Sequence, residues 1–344
     1  MPAAPYEKFT PPGSQDRIVD ADQWLAQTTR SLLDDQAFVV VSGVDARKFL
    51  QGQLTCNLDD VSATHSVCGS YCTVQGRMIT SFRVAQRGDG ALLLRMHASV
   101  IETTLQTLKK YGVFSKVQIG VDNDWLALSL EGTDSATLLA TIAPDFAQEK
   151  NATFCNESIV VIQIDDAAQR FELWVPASTA AELWQKLAAA TTAGASLWRL
   201  RNIREGIGHI EAGSQDLFIP QMLNFQHTGF VHFKKGCYTG QEIVARMQYL
   251  GKLKRHMYRY DIQSDAVPVV GDELLKADST QGVGNIVSVV TIGEAQHEVL
   301  AVVTDDAMDA ESLHIRDRRD QRFRRLELPY AITVGTVKTE RRKL

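Results

Sequence analysis

The segment Phe233-Lys234-Lys235-Gly236-Cys237-Tyr238-Thr239-Gly240-Gln241-Glu242 sets one thiol between two glycines, with two lysines just upstream. Glycine permits positive φ and close backbone approach, and nearby cations favour thiolate over thiol, so a reactive or ligand-binding Cys237 is chemically reasonable. No His or Asn/Asp partner for the thiol follows from spacing, and a free cysteine is more often a small buried hydrophobe. Both readings of Cys237 stay open on the local residues. A second signal lies in Ser196–Gly206. There Leu197, Leu200, Ile203 and Ile207 form an apolar helical stripe, while Trp198 falls with Arg201, Asn202 and Glu205 on the opposite face. A tryptophan on a polar face needs a partner, either a flat ligand whose polar edges reach Asn202 or Glu205, or another domain packed over it.

Basic runs at Lys252–His256 and Arg316–Arg325 suit phosphate, a polyglutamate chain or RNA, but Asp317 and Asp320 interrupt the second, as a solvated strand face would. The eight histidines make no metal-binding pattern. Gly282-Val283-Gly284-Asn285 reads as a strand turn lacking the helix and third glycine of a dinucleotide loop. Neither a metal nor a nicotinamide cofactor is expected.

The elements that must position these residues belong to a globular chain. Its 344 residues are 44% hydrophobic and 22% charged, with net charge -5, which excludes a mainly disordered protein and gives no whole-molecule attraction to nucleic acid or anionic lipid. Five cysteines without C-x-x-C spacing suggest a reducing compartment, and no apolar run reaches the roughly 18 residues of a membrane span. The start lacks a secretory pattern, so a cytoplasmic location and no membrane partner are expected. Strands are predicted at Phe38–Val41, across Cys68–Arg87 with a turn at Gln75-Gly76-Arg77, and at Ala91–Arg95, with helices at Ala46–Leu54 and Ile101–Lys110. A similar mixture recurs from Trp125 to Val175, ahead of a helix at Ala180–Ala190 and one at Ser196–Gly206 with Ser196 as N-cap. Beyond about Lys252, short alternating strands predict a small β-barrel or sandwich. The fold class is α+β. The expected division is an N-terminal arm at 1–32, a body at 33–248, a C-terminal β-barrel at 249–335 and a basic tail at 336–344.

Lys234-Lys235-Gly236-Cys237-Tyr238-Thr239-Gly240-Gln241-Glu242-Ile243-Val244-Ala245-Arg246 resembles the signature of the YgfZ family of folate-binding proteins. Phe218–Asn224, Gly43–Thr55, Tyr71–Arg77 and Lys109–Val117 (Lys-Lys-Tyr-Gly-Val-Phe-Ser-Lys-Val) fit the same family, so the resemblance spans nearly the whole chain. It implies a fold like the T-protein of the glycine cleavage system, a folate-binding body around a central opening closed by the barrel. It also implies tetrahydrofolate as ligand and iron-sulfur enzymes as clients, including enzymes that thiolate tRNA, with a weak tRNA contact. On this reading Cys237 is the key thiol, assisted by Lys234, Lys235 and Arg246, and Trp198, Asn202, Glu205, Tyr238 and Gln241 hold folate. Trp198 matches a folate-contacting tryptophan of the family, whereas Gln36 stands where the family has a second one. The T-protein's catalytic aspartate is replaced at Thr80-Ser81, which disfavours glycine-cleavage chemistry because a hydroxyl cannot supply a carboxylate's charge. The T-protein's pterin-gripping glutamate is matched by Arg204, with Glu205 one position out of phase. The alternatives are a folate-dependent aminomethyl or methyl transferase using Glu205 or Glu242, and an RNA-binding scaffold using the arginine-rich barrel strands.

Overall fold

A computed structural model describes residues 9–11, 18, 20–144, 146, 149–276, 279–308, 313–318 and 321–332. The expected basic tail, Arg319 and most of the first 19 residues lie outside the described residues. Two sheets make the body. The first is antiparallel and runs in the order Val67–Cys72, Met78–Gln86, Leu92–His97, Gln36–Ser42, Gln118–Asp122. The second runs Thr191–Ala193, Thr29–Leu32, Trp125–Glu131, Arg170–Pro176, Val160–Gln163, Thr153–Cys155 and is antiparallel except for its first pair. Residues 29–32, assigned from sequence to the arm, thus belong to the body, because Ser31 and Leu32 are buried and their strand pairs on both sides.

Alternation along the strands decides what these sheets enclose. In Arg170–Pro176 the residues Phe171, Leu173 and Val175 enter a core shared with helix Ala177–Lys186. The intervening Arg170, Glu172 and Trp174 point the other way, toward the first sheet, where Trp174 meets Phe38 edge-on with ring centroids 5.1 Å apart. On the first sheet, Cys68, Arg83, Arg95 and Phe38 lie in register across four neighbouring strands and share one face. Both sheets therefore turn a mixed apolar and charged face inward, and the strands carrying it are buried nearly throughout.

Helix Ala195–Arg204 seals one end of this interface, with Leu197, Leu200 and Ile203 in the main core and Trp198 packed with Trp174 in the inter-sheet core. Its cap is Gly194 rather than the expected Ser196, since the extended backbone before the helix ends two residues earlier. It stops at Gly206, whose φ of 68° and Ile207 N–H to Asn202 carbonyl bond of 2.8 Å close the last turn in a left-handed cap. A Cβ on Gly206 would sit 2.7 Å from the Tyr330 hydroxyl, so the glycine also admits the C-terminal segment.

The barrel expected at the C-terminus is a curled six-stranded antiparallel sheet, Leu313–Ile315, Glu273–Lys276, Gly282–Gly293, Gln296–Thr304, Arg255–Gln263, Arg322–Leu326, without a ladder between its end strands among the described residues. Gly282-Val283-Gly284-Asn285 is not a turn but the start of the long third strand. Gly284 lets the neighbouring strand's Val302 carbonyl come closer than a side chain would permit. Arg204 fastens this sheet to the body through Glu298 at 2.7 Å, which Arg259 also binds at 2.6 Å.

Candidate functional site

A cavity of about 430 Å³ lies between the two body sheets, roofed by the helix carrying Trp198 and bounded by residues 227–230 and by Pro329 and Tyr330. Trp198, Asn202 and Glu205, grouped from sequence by helical spacing, all line it. The residue that draws them together is Arg170, which sequence reasoning missed. Its guanidinium stands over the Trp198 ring at 4.6 Å, donates from Nη2 to Asn202 at 2.9 Å, pairs through Nη1 with Glu205 and binds Glu131 at 2.7 Å. Glu131 is Arg170's cross-strand neighbour, so sheet register alone creates this buried pair. Burial outweighs the flanking arginines and pushes the Glu131 carboxyl up from its ordinary value. The Tyr330 hydroxyl donates to the Gly206 carbonyl at 2.6 Å, tying the C-terminal segment across the rim.

The opposite wall holds a second buried charge cluster. Arg95 binds Glu172 at 2.8 Å, Arg83 Nε stands 4.0 Å from the same carboxylate, and the other Glu172 oxygen accepts from Trp174 Nε1 at 2.7 Å. The detectable signal was a charged residue at every second position of otherwise apolar strands, as in Arg170-Phe171-Glu172. Gln36 accepts from Arg95 at 2.5 Å and donates to Asp35 at 2.9 Å, so it orients a cavity arginine. Ser81 accepts from the Ile210 N–H at 2.9 Å and Thr80 donates to the Ser81 carbonyl at 3.2 Å. Arg204 turns away from the cavity to Glu298 and Asp22.

His209 also lines the cavity, and burial together with the nearby Arg95 pushes its pKa down to about 3. Because this lies below the unfolded value of about 6.5, the unfolded chain binds the extra proton between those limits. The stability contributed by neutral His209 is therefore lost as pH falls through that window. NMR titration is expected to show no His209 protonation between pH 5 and 8; a midpoint near 6.5 would contradict the buried, arginine-flanked placement.

The cysteine segment forms a separate cluster that does not line the cavity. Cys237 is exposed, which overturns the buried-hydrophobe alternative. Lys235 reaches away from the thiol into the carbonyls of Gln51, Leu54 and Cys56 at 2.6–2.8 Å, and burial lowers its pKa to about 8. Arg246 pairs with Glu242 one turn back at 2.9 Å, so Lys235 and Arg246, two of the three cations expected to assist Cys237, are committed elsewhere. Tyr238 is buried with Lys235 Nζ 5.3 Å from its ring centroid, and Gln241 begins helix Gln241–Tyr249. Gly240, at φ 83°, allows the start of that helix to touch the Thr73–Arg77 turn.

Residues 6–198 match the GCVT N-terminal domain. The tRNA-modifying protein YgfZ of Photorhabdus laumondii is 31% identical over 303 residues, covering 87% of this chain and 92% of that protein. Its counterparts in Yersinia enterocolitica and Escherichia coli are each 32% identical, covering 88% of this chain and 92% and 94% of theirs. The chain belongs to the YgfZ family. Among solved structures, glycine cleavage system aminomethyltransferase T from Bartonella henselae matches with a TM-score of 0.69 at 14% identity, over 89% of this chain and 86% of that one. This YgfZ chain therefore has the T-protein fold, with Cys237, Gly240 and Arg246 of its motif on one loop-helix unit beside the body.

Proposed function

We propose that the chain binds tetrahydrofolate in the cavity beside Trp198 and supports assembly or repair of iron-sulfur enzymes, tRNA-thiolating ones among them, through the Cys237 thiol. The observation that carries the folate reading is the convergence of Trp198, Asn202 and Glu205, each contacted by Arg170, on one wall of a cavity within the size range of small-molecule pockets. A pterin is flat, has hydrogen-bonding edges and is attached to an anionic tail. Trp198 offers packing surface, Asn202 and Glu205 offer polar edges, and the buried Nε atoms of the cavity-lining Arg83 and Arg95 have no hydrogen-bond partner among the described residues. These groups fit the ligand.

Tetrahydrofolate supplies one-carbon chemistry when bound. The protein's contribution is to hold the ligand beside carboxylates paired with arginines, Glu172 with Arg95 and Glu205 with Arg170. Of the two carboxylates the aminomethyl transferase reading would use, Glu205 is paired with Arg170 and Glu242 pairs with Arg246 without lining the cavity, which argues against that reading. The exposure of Cys237 supports its action on a partner protein, and the names of the curated relatives support tRNA as a partner class. Among the described residues no helix is long and apolar enough to cross a membrane.

The thiol role has its own test. Cys237→Ser is expected to bind tetrahydrofolate like the wild type and to lose at least about tenfold of the tRNA-thiolation activity restored to a deletion strain. Full restoration would remove the thiol from the account.

A further inference from the structure

The function above leaves one motif unabsorbed, Lys109-Lys110-Tyr111-Gly112-Val113-Phe114-Ser115-Lys116-Val117. It runs from the end of helix Ile101–Gly112 into a short turn, and it presents Phe114 at 100% exposure, Val113 at 71% and Tyr111 at 43%. Val44, at 85%, sits on the adjoining turn. An aromatic ring left wholly in water is not explained by the packing of this chain.

The turn is well fixed. The Lys116 N–H donates to Asp45 Oδ2 at 2.8 Å, the Asp45 N–H to the Lys116 carbonyl at 3.4 Å, and the Ser115 N–H to the Gly112 carbonyl at 3.0 Å. Gly112 fits against Phe49 of helix Ala46–Gln51, where a Cβ would lie 3.7 Å from its ring. Around the exposed rings stand Lys109, Lys110 and Lys116, all exposed, with Lys48 exposed on the neighbouring helix. No ion pair occupies these four lysines among the described residues. Lys110 Nζ instead stands 5.8 Å from the Tyr111 ring centroid. The nearby carboxylates Asp45 and Glu102 accept from the Lys116 amide and from Gln106 at 2.8 Å, and neither forms an ion pair with these lysines among the described residues.

In the arginine-rich sheet expected to meet RNA, three of the arginines already face carboxylates. Arg316 pairs with Glu273 at 2.5 Å, Arg324 with Asp261 at 2.8 Å, and Arg318 stands 3.8 Å from Asp272. Nucleic-acid attraction depends on cations that phosphates can neutralise, and sequence-tolerant single-strand binding adds aromatic faces on which bases stack. Both requirements meet at the Lys109–Lys116 turn.

We infer that this turn is an RNA-docking surface, taking a single-stranded tRNA loop whose bases stack on Phe114 and Tyr111 while Lys48, Lys109, Lys110 and Lys116 contact its phosphates. The inference rests on RNA being a partner of this protein and is independent of folate. The test measures binding of a tRNA transcript, an oligouridylate and polyglutamate to the full-length protein across a salt series. The expected result is binding of both RNAs, with log K falling against log salt at a slope of about −2 to −3 for three to four phosphates neutralised. Phe114→Ala is expected to lose at least about fivefold in affinity at unchanged slope. Lys109→Glu/Lys110→Glu/Lys116→Glu is expected to lose at least about tenfold and flatten the slope, while Arg318→Glu/Arg324→Glu binds as the wild type does. These side chains are exposed, and a circular dichroism melt checks that the variants fold. Failure of the wild type to bind either RNA at low salt would overturn the RNA reading itself. RNA binding that ignores Phe114 and the lysines, or follows the barrel arginines, would overturn this location. Polyglutamate binding with the same slope and no Phe114 dependence would assign the lysines to an acidic protein and overturn the inference.

Discussion

Replacing Arg170 with methionine is expected to lower unfolding free energy by about 3–5 kcal/mol, because it strips the main partner from a fully buried carboxylate. Glu131 would keep only Arg201, whose Nε stands 3.5 Å away. The same change uncovers the Trp198 ring and unties Asn202 and Glu205, so the wall of the cavity loses its order along with its charge. The pH response separates this cause from simple loss of packing. Glu131 already titrates above its ordinary value, and without Arg170 it moves further up. Between the unfolded and folded values the native state then holds the extra proton, so stability falls as pH rises through that window and recovers on acidification. Urea midpoints at pH 7 and pH 5 should therefore converge on the wild type at the lower pH. A loss below about 1 kcal/mol, or no recovery at pH 5, would mean that Glu131 and Arg170 are not the buried pair described.

Gly240→Ala is expected to cost about 2–5 kcal/mol, combining a left-handed φ of 83° with overlap against backbone. The new Cβ would press on the Thr73 carbonyl, lie 3.0 Å from the Gly76 Cα and 3.2 Å from the Cys72 Cβ, none of which is a flexible side-chain end. The hairpin turn and the start of helix Gln241–Tyr249 must then part, releasing the Cys237 segment from its seat. Gly90 is the matched control. Its φ is 87° and nothing lies within 4 Å of its Cβ position, so Gly90→Ala should cost only the conformational part, about 1–2 kcal/mol. Equal urea midpoints for the two variants would show that the Gly240 contact does not bear on stability. Proteolysis within 233–242 should accelerate in the Gly240 variant alone.

How much of this was legible in the sequence differs from element to element. The polar grouping of Trp198, Asn202 and Glu205 follows from a period of 3.6 residues, a local property, and the folded helix keeps it. The strand alternation that predicted the C-terminal sheet held for the same reason. Arg170, Arg83 and Arg95 escaped because the partners that make a buried charge tolerable, Glu131 and Glu172, come from other strands through register that local periodicity does not encode. The same limit hid the body membership of residues 29–32, whose neighbours are Thr191–Ala193 and Trp125–Glu131. Lys235 illustrates the converse. Its proximity to Cys237 in sequence suggested help for the thiol, yet the ammonium satisfies three carbonyls, Gln51 at the end of helix Ala46–Gln51 and Leu54 and Cys56 beyond it, a demand set by the fold.

Calorimetric titration of the metal-free protein with tetrahydrofolate under anaerobic conditions, run beside Trp198→Ala, tests the central claim most directly. The account predicts saturable one-to-one binding by the wild type and at least about tenfold weaker binding by a variant that still unfolds cooperatively, since Trp198 is both packing surface and the platform under Arg170. Wild-type protein that gives no binding heat at saturating ligand, or a folded variant that binds with undiminished affinity, would contradict it.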